Sequence, residues 1–325
     1  MSYLQVVFGF VLLLGGAEFL VRGAVQVSVK LGLSTLLIGM TVVAFGTSAP
    51  EFVVSLNAAL DGVPGIALGN VVGSNIANIL LILGTAALLA PVVVDSRAVI
   101  RDGLMLTGAS VLFTWLCLSG TIQQIAGGIM VMALLGYFLR SYLRERANGA
   151  ASAHLHEREA EEFQDVEMST GMAWLSLLGG LIAVSVGADQ LVAGGSSIAR
   201  SYGVAEEVIG LTLIAFGTSL PELAASVVAA RRGHTDVVIG NVIGSNLFNT
   251  LGVVGGVSVI LPLSVPAQLV RFDLWVMMAA TLVILAYLAI GTRLGRREGV
   301  VFLGAYAVYI AAQGIGVERV LALMG

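Results

Sequence analysis

The sequence contains very little charge. Only 11% of its 325 residues are Asp, Glu, Lys or Arg, whereas soluble globular domains carry about a quarter. It has one cysteine, Cys117, so no intrachain disulfide can form. The net charge of −4 and the lack of a basic tract argue against nucleic acid as a partner. These shortages exclude an ordinary soluble domain and a disulfide-stabilised secreted protein.

Apolar residues predominate in the sequence. They make up 58% of the chain, and the mean hydropathy is +0.98, which indicates a polytopic membrane protein. A bilayer-spanning helix needs about 20 apolar residues, and ten blocks meet that length. The predicted spans are 4–29, 33–59, 64–90, 98–119, 122–143, 171–199, 205–230, 236–261, 271–291 and 299–320.

The basic residues of the predicted loops set the orientation, because cytoplasmic loops are enriched in Lys and Arg. Only Arg200, Arg271 and Arg319 fall on one side. The other side holds Lys30, Arg97, Arg101, Arg140, Arg144, Arg146, Arg158, Arg231, Arg232, Arg293, Arg296 and Arg297. We therefore expect an integral inner-membrane protein with both termini extracytoplasmic. The N-terminus has no cleavage signal, so we expect the first span to be retained.

One segment is duplicated. Gly39–Gly84 matches Gly210–Gly255 at a constant offset of 171 residues, with 22 identities in 46 positions, most of which fall on Gly, Thr, Ser, Pro, Glu and Asn. The match extends to Gly16–Ala24 and Gly187–Gly195, which pairs Glu18 with Asp189. Each copy holds five spans, an odd number, so the second must enter the membrane from the opposite side.

The predicted fold is an all-α membrane protein with ten transmembrane helices arranged as two inverted five-helix repeats. The first repeat is 1–144, the second is 171–325, and a polar cytoplasmic linker, 145–170, joins them. One interpretation of this linker is a metal-binding patch formed by His154, His156 and the neighbouring acids. A solvated linker fits better, because a segment so rich in charge cannot form a core. Spans 4 and 5 are interpreted as scaffold.

Span 2 carries a predicted break. Pro50 has no N–H to donate and clashes one turn back, while Gly46 weakens the helix beside it. Thr47, Ser48 and Glu51 follow on one face, and Gly217, Thr218, Ser219, Pro221 and Glu222 repeat the pattern in span 7. A single break of this kind is usually a simple kink. An acid beside each of two repeated breaks favours function, since buried acids in spans are costly.

Span 3 supplies a polar stripe. Asn70, Ser74 and Asn78 recur at four-residue steps, and Gly69 and Gly73 form a small-residue pair that admits another helix. Span 8 repeats the register with Gly240, Asn241, Gly244, Ser245 and Asn249. Interhelical hydrogen bonding remains an alternative role, above all for Asn70, Asn75, Asn241 and Asn246.

The polar groups of the two motifs are all oxygen donors, with neither Cys nor His among them. Such sets suit hard cations, for example Ca2+ and Na+, and argue against zinc or copper. Glu51 and Glu222 together carry a charge of −2, which one Ca2+ or two Na+ would neutralise. An emptied site would leave that charge uncompensated inside the membrane, which favours exchange over uniport. Transport without a counter-ion would contradict this expectation.

The motifs GTSAPE with GNVVGSNIAN, and GTSLPE with GNVIGSNLFN, resemble the paired repeats of the sodium/calcium exchangers in the cation/calcium exchanger superfamily. The resemblance covers nearly the whole chain. It implies a non-enzymatic antiporter in which Na+ entry drives Ca2+ extrusion by alternating access, with spans 1 and 6 sliding across the remainder. No cofactor is implied, and we expect a monomer.

The resemblance also implies the ligands of the transported ions. In the first repeat they would be Thr47, Ser48, Glu51, Ser74, Asn78 and the backbone carbonyl of Ala44. In the second repeat they would be Thr218, Ser219, Glu222, Ser245, Asn249 and the carbonyl of Ala215.

Other functions stay open at this stage. Asn249 stands where some members of that family, including potassium-dependent ones, carry Asp, which argues against obligatory K+ transport. A Ca2+/H+ antiporter would use protons on Glu51 and Glu222. A cation channel would need a continuous pore, whereas paired motifs favour occlusion. Two buried acids could also activate water in an intramembrane protease, but Ser, Thr and Asn surround them here. Peptide cleavage independent of any cation gradient would favour that enzyme.

Overall fold

The computed structural model describes residues 2–92, 97–147, 168–202, 215–290 and 293–317. Most of the predicted linker, with His154 and His156, and the first part of the seventh predicted span lie outside the described residues. The helices are α1 (Ser2–Leu31), α2 (Thr35–Thr47), α3 (Ala49–Leu60), α4 (Pro64–Leu89), α5 (Arg97–Leu118), α6 (Gln124–Ala147), α7 (Thr170–Ser201), α8 (Ala215–Gly217), α9 (Leu220–Arg231), α10 (Thr235–Ile260), α11 (Leu269–Ile290) and α12 (Arg296–Ile315).

The all-helical class is confirmed. Within the described ranges, strand structure is limited to β1 (Thr121–Ile122), paired antiparallel with β2 (Leu263–Ser264), and an isolated bridge between Val92 and Leu294. Eight helices there are long and apolar enough to cross a membrane, or up to nine if the bent pair α2 and α3 is one span. Ten spans, and their arrangement as inverted repeats, stay a prediction.

The chain forms two compact units that do not follow the two sequence halves. Unit 1 combines residues 1–50 with 135–244, and unit 2 combines 51–134 with 245–325. Each unit therefore takes part of both predicted repeats. The chain passes from one unit to the other within α3, α6 and α10, each of which has residues in both units.

In unit 1, α1 and α7 pack backbone to backbone along a glycine seam. The seam consists of Gly9, Gly16 and Gly23 on α1 and Gly180, Gly187 and Gly194 on α7. A Cβ added at Gly9 would lie 2.6 Å from the backbone nitrogen of Leu191, and one at Gly16 would lie 2.7 Å from that of Val184. Only glycine permits such an approach, so α1 and α7 behave as one packed pair.

Unit 2 has close contacts of its own. Gly299 on α12 meets α4, where an added Cβ would lie 2.7 Å from the carbonyl oxygen of Gly84. Gly127 on α6 meets α10, with 2.6 Å to the carbonyl oxygen of Gly255. α5 packs against α11, where Gly103 faces Leu288. These contacts hold α4 and α10, which carry the polar motifs, among apolar helices.

The predicted small-residue pair is confirmed in the second motif. An added Cβ at Gly240 would lie 2.5 Å from the carbonyl oxygen of Leu36, and Gly244 lies against the backbone of Met40. At Gly69 and Gly73, an added Cβ meets nothing within 4 Å in the described residues. The segment equivalent to Leu36–Met40 in the second copy, 207–211, lies outside those residues, so this half stays a prediction.

Among the described residues, four helices contain π-helical stretches, in which the backbone register shifts by one residue. They are Gly39–Val43 in α2, Asn78–Leu83 in α4, Phe248–Val253 in α10 and Leu269–Asp273 in α11. The first three adjoin the predicted motifs, where π-bulges are often functional. The fourth adjoins a buried acid that the sequence interpretation overlooked.

Candidate cation-binding site

Both predicted helix breaks are present. α2 ends at Thr47, α3 begins at Ala49, and the two are bent by 42° at this break. In the second motif α8 ends at Gly217 and α9 begins at Leu220, with Pro221 in its first turn. The missing N–H of the proline and its clash with the preceding turn account for the interruption.

The carbonyl predicted to bind a cation at the first break already has partners. The Ala44 oxygen accepts the backbone N–H of Ser48 at 3.0 Å and the Thr47 hydroxyl at 3.4 Å. Its role as a ligand stays a prediction. Ala215 begins α8, and its role stays a prediction as well.

The predicted ligand side chains are buried. Glu51 and Glu222 are each 1% exposed, a very low value for carboxylates in a chain so poor in charge. The other buried side chains of the predicted set are Thr47, Ser48, Ser74, Asn78, Thr218, Ser219, Ser245 and Asn249. Burial of this many polar groups in apolar helices requires partners or a bound ligand.

Unit 1 joins the first motif to the second. The Ser48 hydroxyl donates to Oε1 of Glu222 at 2.9 Å. The other oxygen, Oε2, is buried and has no hydrogen-bond partner among the described residues. The Thr47 hydroxyl lies 3.4 Å from Oδ1 of Asn241. The carboxylate is thus held through one oxygen, and the second is available to a ligand.

Asn241 also fixes the start of α9. Its amide nitrogen donates to the backbone oxygen of Glu222 at 3.4 Å and to the Ser226 hydroxyl at 3.2 Å. In unit 2 Asn70 makes the equivalent bonds, 3.3 Å to the backbone oxygen of Glu51 and 3.1 Å to the Ser55 hydroxyl. Each asparagine therefore clamps the backbone of a carboxylate residue. Both asparagines thus form interhelical hydrogen bonds, which was the alternative role. They form these bonds to the backbone of residues of the candidate site.

Unit 2 contains a chain of amide hydrogen bonds. Asn78 donates to Oδ1 of Asn246 at 2.9 Å, Asn246 donates to the backbone oxygen of Asn75 at 3.4 Å, and Asn75 donates to the Thr250 hydroxyl at 2.8 Å. The Asn78 nitrogen is therefore occupied, whereas its Oδ1 is buried with no partner among the described residues. Neither amide atom of Asn249 has a partner there.

Two of the predicted ligands are therefore brought together within one unit. Ser48 meets Glu222 in unit 1, and Asn78 is oriented by Asn246 in unit 2. The meeting of Glu51 with Glu222 stays a prediction. Sequence reasoning missed Ser55 and Ser226, although both are identities of the repeat. It also missed Thr250, which has no polar counterpart in the first motif because Ile79 stands there.

Glu18, whose role the sequence left open, is an ion-pair partner. It accepts Arg22 Nε at 2.8 Å on its own helix and Arg232 Nε at 2.9 Å from the end of α9. Arg232 Nη2 contacts the same carboxylate. The pairing ties α1 to α9 within unit 1, and it favours an anchoring role for Glu18. Asp189, its counterpart, is exposed.

The donor set fits hard cations. The buried groups offer carboxylate, amide and hydroxyl oxygens, and the described residues contain no cluster of three or more His, Cys, Asp or Glu side chains. Ca2+ and Na+ are bound by such oxygen sets, whereas zinc and copper prefer nitrogen and sulfur.

The chain is similar to a protein family and to membrane proteins of known sequence. The family model described as sodium/calcium exchanger protein matches residues 1–143 and 172–314. Sodium/calcium exchanger MaX1 of Methanosarcina acetivorans is 33% identical, covering 95% of this chain and 97% of that protein. Inner membrane protein YrbG of Escherichia coli is 33% identical, covering 93% and 94%.

A solved structure agrees. The sodium-calcium exchanger NCX_Mj, soaked with Na+ and Sr2+, superposes with a TM-score of 0.83 at 31% identity, covering 96% of this chain and 99% of that chain. The family model and the relatives extend over nearly all of the sequence. The chain belongs to the sodium/calcium exchanger family of membrane transporters.

Proposed function

We propose that the protein is a secondary antiporter that exchanges Na+ for Ca2+ and extrudes Ca2+ from the cytoplasm. The observation that supports this best is the state of Glu222. Its carboxylate is buried, Oε1 is held by Ser48, and Oε2 is left without a partner in the described residues. A buried carboxylate in a membrane helix needs a compensating charge, and a transported cation supplies it.

The charge of the site favours exchange. Glu51 and Glu222 carry −2, so one Ca2+ or two Na+ leave the site neutral. The proposed ligands are Thr47, Ser48, Glu51, Ser74, Asn78, Thr218, Ser219, Glu222, Ser245 and Asn249, with the carbonyls of Ala44 and Ala215. A site that is neutral with either ion and charged when empty crosses the membrane far more readily when loaded. That difference couples the two fluxes.

Alternating access completes the proposal. We infer ten spans in two inverted repeats, with both termini extracytoplasmic and the linker cytoplasmic. The glycine seam supports a motion in which α1 and α7 slide together, because their close backbone contact holds them as one packed pair. The substrates are Na+ and Ca2+, and the protein acts as a monomer in the membrane.

The test is a flux assay on purified protein in liposomes. Liposomes loaded with Na+ are diluted into choline medium containing 45Ca2+, and the same assay is repeated with K+ loading and with a pH gradient alone. We expect uptake that requires internal Na+. Uptake driven by the pH gradient without Na+ would favour the Ca2+/H+ antiporter instead, and a requirement for K+ would favour the potassium-dependent type.

Matched variants connect the flux to the site. Glu222→Gln and Glu51→Gln keep the shape of the side chain and remove its charge. Each should lower Na+-driven uptake about 100-fold, since disruption of a buried charge interaction costs about 3 kcal/mol or more. Asp61→Asn removes an exposed acid and should leave the rate unchanged. Unaltered flux in either glutamine variant would refute the proposed site.

A further inference from the structure

A cavity of about 410 Å3 lies between three helices of unit 1. Every side chain that lines it is apolar. They include Phe10, Leu13 and Leu14 of α1, Leu191 of α7, and Leu223 and Val227 of α9. The volume lies within the range of about 300–1,000 Å3 that is usual for ligand sites. The cavity is therefore large enough for part of a ligand, and the chemistry of its walls requires that part to be hydrocarbon.

The cavity lies beside the outer face of α1. Phe10 and Leu14 in its wall are 53% and 39% exposed, and α1 is a candidate membrane span, so their exposed sides face lipid. Water does not fill an apolar cavity, which instead takes apolar guests. Lipid tails are as apolar as leucine. The occupant that this position favours is the hydrocarbon chain of a neighbouring lipid.

A basic cluster lies beyond the cavity on the same two helices. On α1, Glu18 lies one turn after Leu14, and Arg22 lies one turn further. Arg232 follows the last residue of α9. Glu18 accepts Arg22 Nε at 2.8 Å and Arg232 Nε at 2.9 Å. Because two guanidinium groups share one carboxylate, the cluster of Glu18, Arg22 and Arg232 keeps one net positive charge.

The cluster lies at the end of a helix and is open to the outside. After Arg232 the chain turns at Gly233, with φ of 81°, and Arg231 on the other side of Arg232 is exposed. The side chains of Arg22 and Arg232 are 38% and 25% exposed. Each guanidinium has five N–H donors in a planar fork that matches phosphate oxygens. The cluster is therefore suited to an anionic headgroup.

The cluster is not repeated in the other half of the chain. The positions that correspond to it at the offset of 171 residues hold two acids and an alanine, Asp189, Asp61 and Ala193. Acids at these positions would repel a phosphate. The predicted orientation places the basic cluster on the cytoplasmic side, where basic groups between membrane helices bind anionic headgroups. The sequence difference thus restricts such a site to one face of the membrane.

We propose that an anionic phospholipid binds here, with its phosphate on Arg22 and Arg232 and one hydrocarbon chain in the apolar cavity between α1 and α9. Glu18 competes with the phosphate for the two guanidinium groups. The site uses none of the proposed cation ligands. It therefore stands whether or not the protein exchanges Na+ for Ca2+, and it is tested by lipid binding and not by flux.

A tryptophan in the cavity wall reports which lipid occupies it. Phe10→Trp supplies this fluorophore after the three native tryptophans have been removed by Trp115→Phe, Trp174→Phe and Trp275→Phe. The protein is reconstituted in mixtures of phosphatidylglycerol and phosphatidylcholine, with brominated chains on one lipid and then on the other. Bromine quenches tryptophan fluorescence on contact, so the dependence of quenching on composition gives the preference of the cavity for the anionic lipid.

We expect a preference of about fivefold for phosphatidylglycerol, the effect of about one net basic charge beside an anionic lipid. Arg22→Gln with Arg232→Gln should abolish the preference. The matched control, Arg140→Gln with Arg144→Gln, removes two exposed basic residues of α6 and should retain it. Glu18→Gln removes the competing carboxylate and should raise the preference about fivefold again.

A second pair of variants tests the hydrocarbon part. Val227→Phe enlarges a side chain in the cavity wall and should reduce quenching of the reporter by either brominated lipid. Val228→Phe makes the same change at the next residue, which is not in that wall, and should leave quenching unchanged. Inorganic phosphate, added at constant ionic strength, should not displace the lipid, because it cannot fill the cavity.

Four results would overturn the site. They are equal quenching by the two lipids, a preference that persists without Arg22 and Arg232, quenching unaffected by Val227→Phe, and displacement of the lipid by inorganic phosphate, which would assign the cluster to free anions. If the double arginine variant does not fold, Glu18→Gln still decides. An unchanged or weaker preference in Glu18→Gln contradicts the proposal.

Discussion

The two copies of the motif are held alike at their carboxylates and differently at their asparagines. Asn70 and Asn241 clamp Glu51 and Glu222 through bonds that agree within 0.1 Å, 3.3 and 3.4 Å to the backbone and 3.1 and 3.2 Å to the serine. Asn78 is anchored through its nitrogen, whereas its counterpart Asn249 has no partner in the described residues. The two carboxylate residues are therefore held alike, whereas the two asparagines are not.

This difference has a physical origin. The position after Asn249 is Thr250, and the position after Asn78 is Ile79. The Thr250 hydroxyl takes the amide nitrogen of Asn75 at 2.8 Å. The Asn246 amide nitrogen meets no such hydroxyl and donates to the backbone oxygen of Asn75 at 3.4 Å, while its Oδ1 accepts Asn78 at 2.9 Å. The single difference between Thr250 and Ile79 therefore gives the amide nitrogens of Asn75 and Asn246 different partners.

Among the asparagine variants, the largest effect should come from Asn241, the clamp that is more deeply buried. Asn241→Ala removes bonds to the Glu222 backbone, Ser226 and Thr47 together, so we expect Na+-driven 45Ca2+ uptake to fall about 30-fold, within the range for groups that orient metal ligands. Asn70→Ala removes a partly exposed clamp and should cost about threefold, near the average for hydrogen bonds between membrane helices. The measurement is the initial rate in liposomes. Equal losses in both variants would contradict the assigned difference.

The sequence predicted the parts of the fold that local chemistry determines. Pro50 and Pro221 each removed a helical N–H, so both breaks followed from the chain alone, and hydropathy identified the all-helical class. The clamping role of Asn70 and Asn241 was left as one of two alternatives, because the same amide can bond to a neighbouring helix or to a ligand. Only the distances to the Glu51 and Glu222 backbones distinguish these roles.

Other features needed the structure because they depend on which helices meet. The glycine seam has a signal in the sequence, since Gly9, Gly16 and Gly23 recur at seven-residue steps and match α7 at the offset of 171. That signal alone does not say that α1 packs on α7. The pairing of Glu18 with Arg232 joins residues 214 positions apart, and Asp102 was overlooked inside a span interpreted as scaffold.

An intermediate effect should follow from loss of the Asn78 anchor. Asn246→Ala frees the Asn78 amide to rotate, and we expect the Ca2+ concentration for half-maximal uptake to rise about tenfold, as for other groups one step removed from a metal. The maximal rate should change much less. Asn246→Asp keeps the acceptor for Asn78 and should recover part of the affinity.

Thr250→Val is the control that sharpens this comparison. It removes the partner of Asn75, keeps the size of the side chain and leaves the bond from Asn78 to Asn246 in place. Its half-maximal Ca2+ concentration should stay near that of the unaltered protein. If Thr250→Val matched Asn246→Ala, the chain of amides would act as a single packing element and no individual anchor of Asn78 could be assigned.

The smallest effect should come from the ion pair between α1 and α9. Glu18 and Arg232 correspond to Asp189 and Asp61 in the other half, two acids that cannot attract each other, so the repeats are unequal here as well. The side chains of Glu18 and Arg232 are 34% and 25% exposed, and water screens much of their attraction. Arg232→Gln leaves Glu18 with Arg22 and removes the ion pair between α1 and the end of α9. We expect the initial rate of Na+-driven uptake to rise about threefold or less, because partly exposed pairs contribute about 1 kcal/mol or less.

Asp61→Asn should leave the rate unchanged, and a slower Arg232→Gln protein would mean that this pair supports the sliding of α1 and does not resist it.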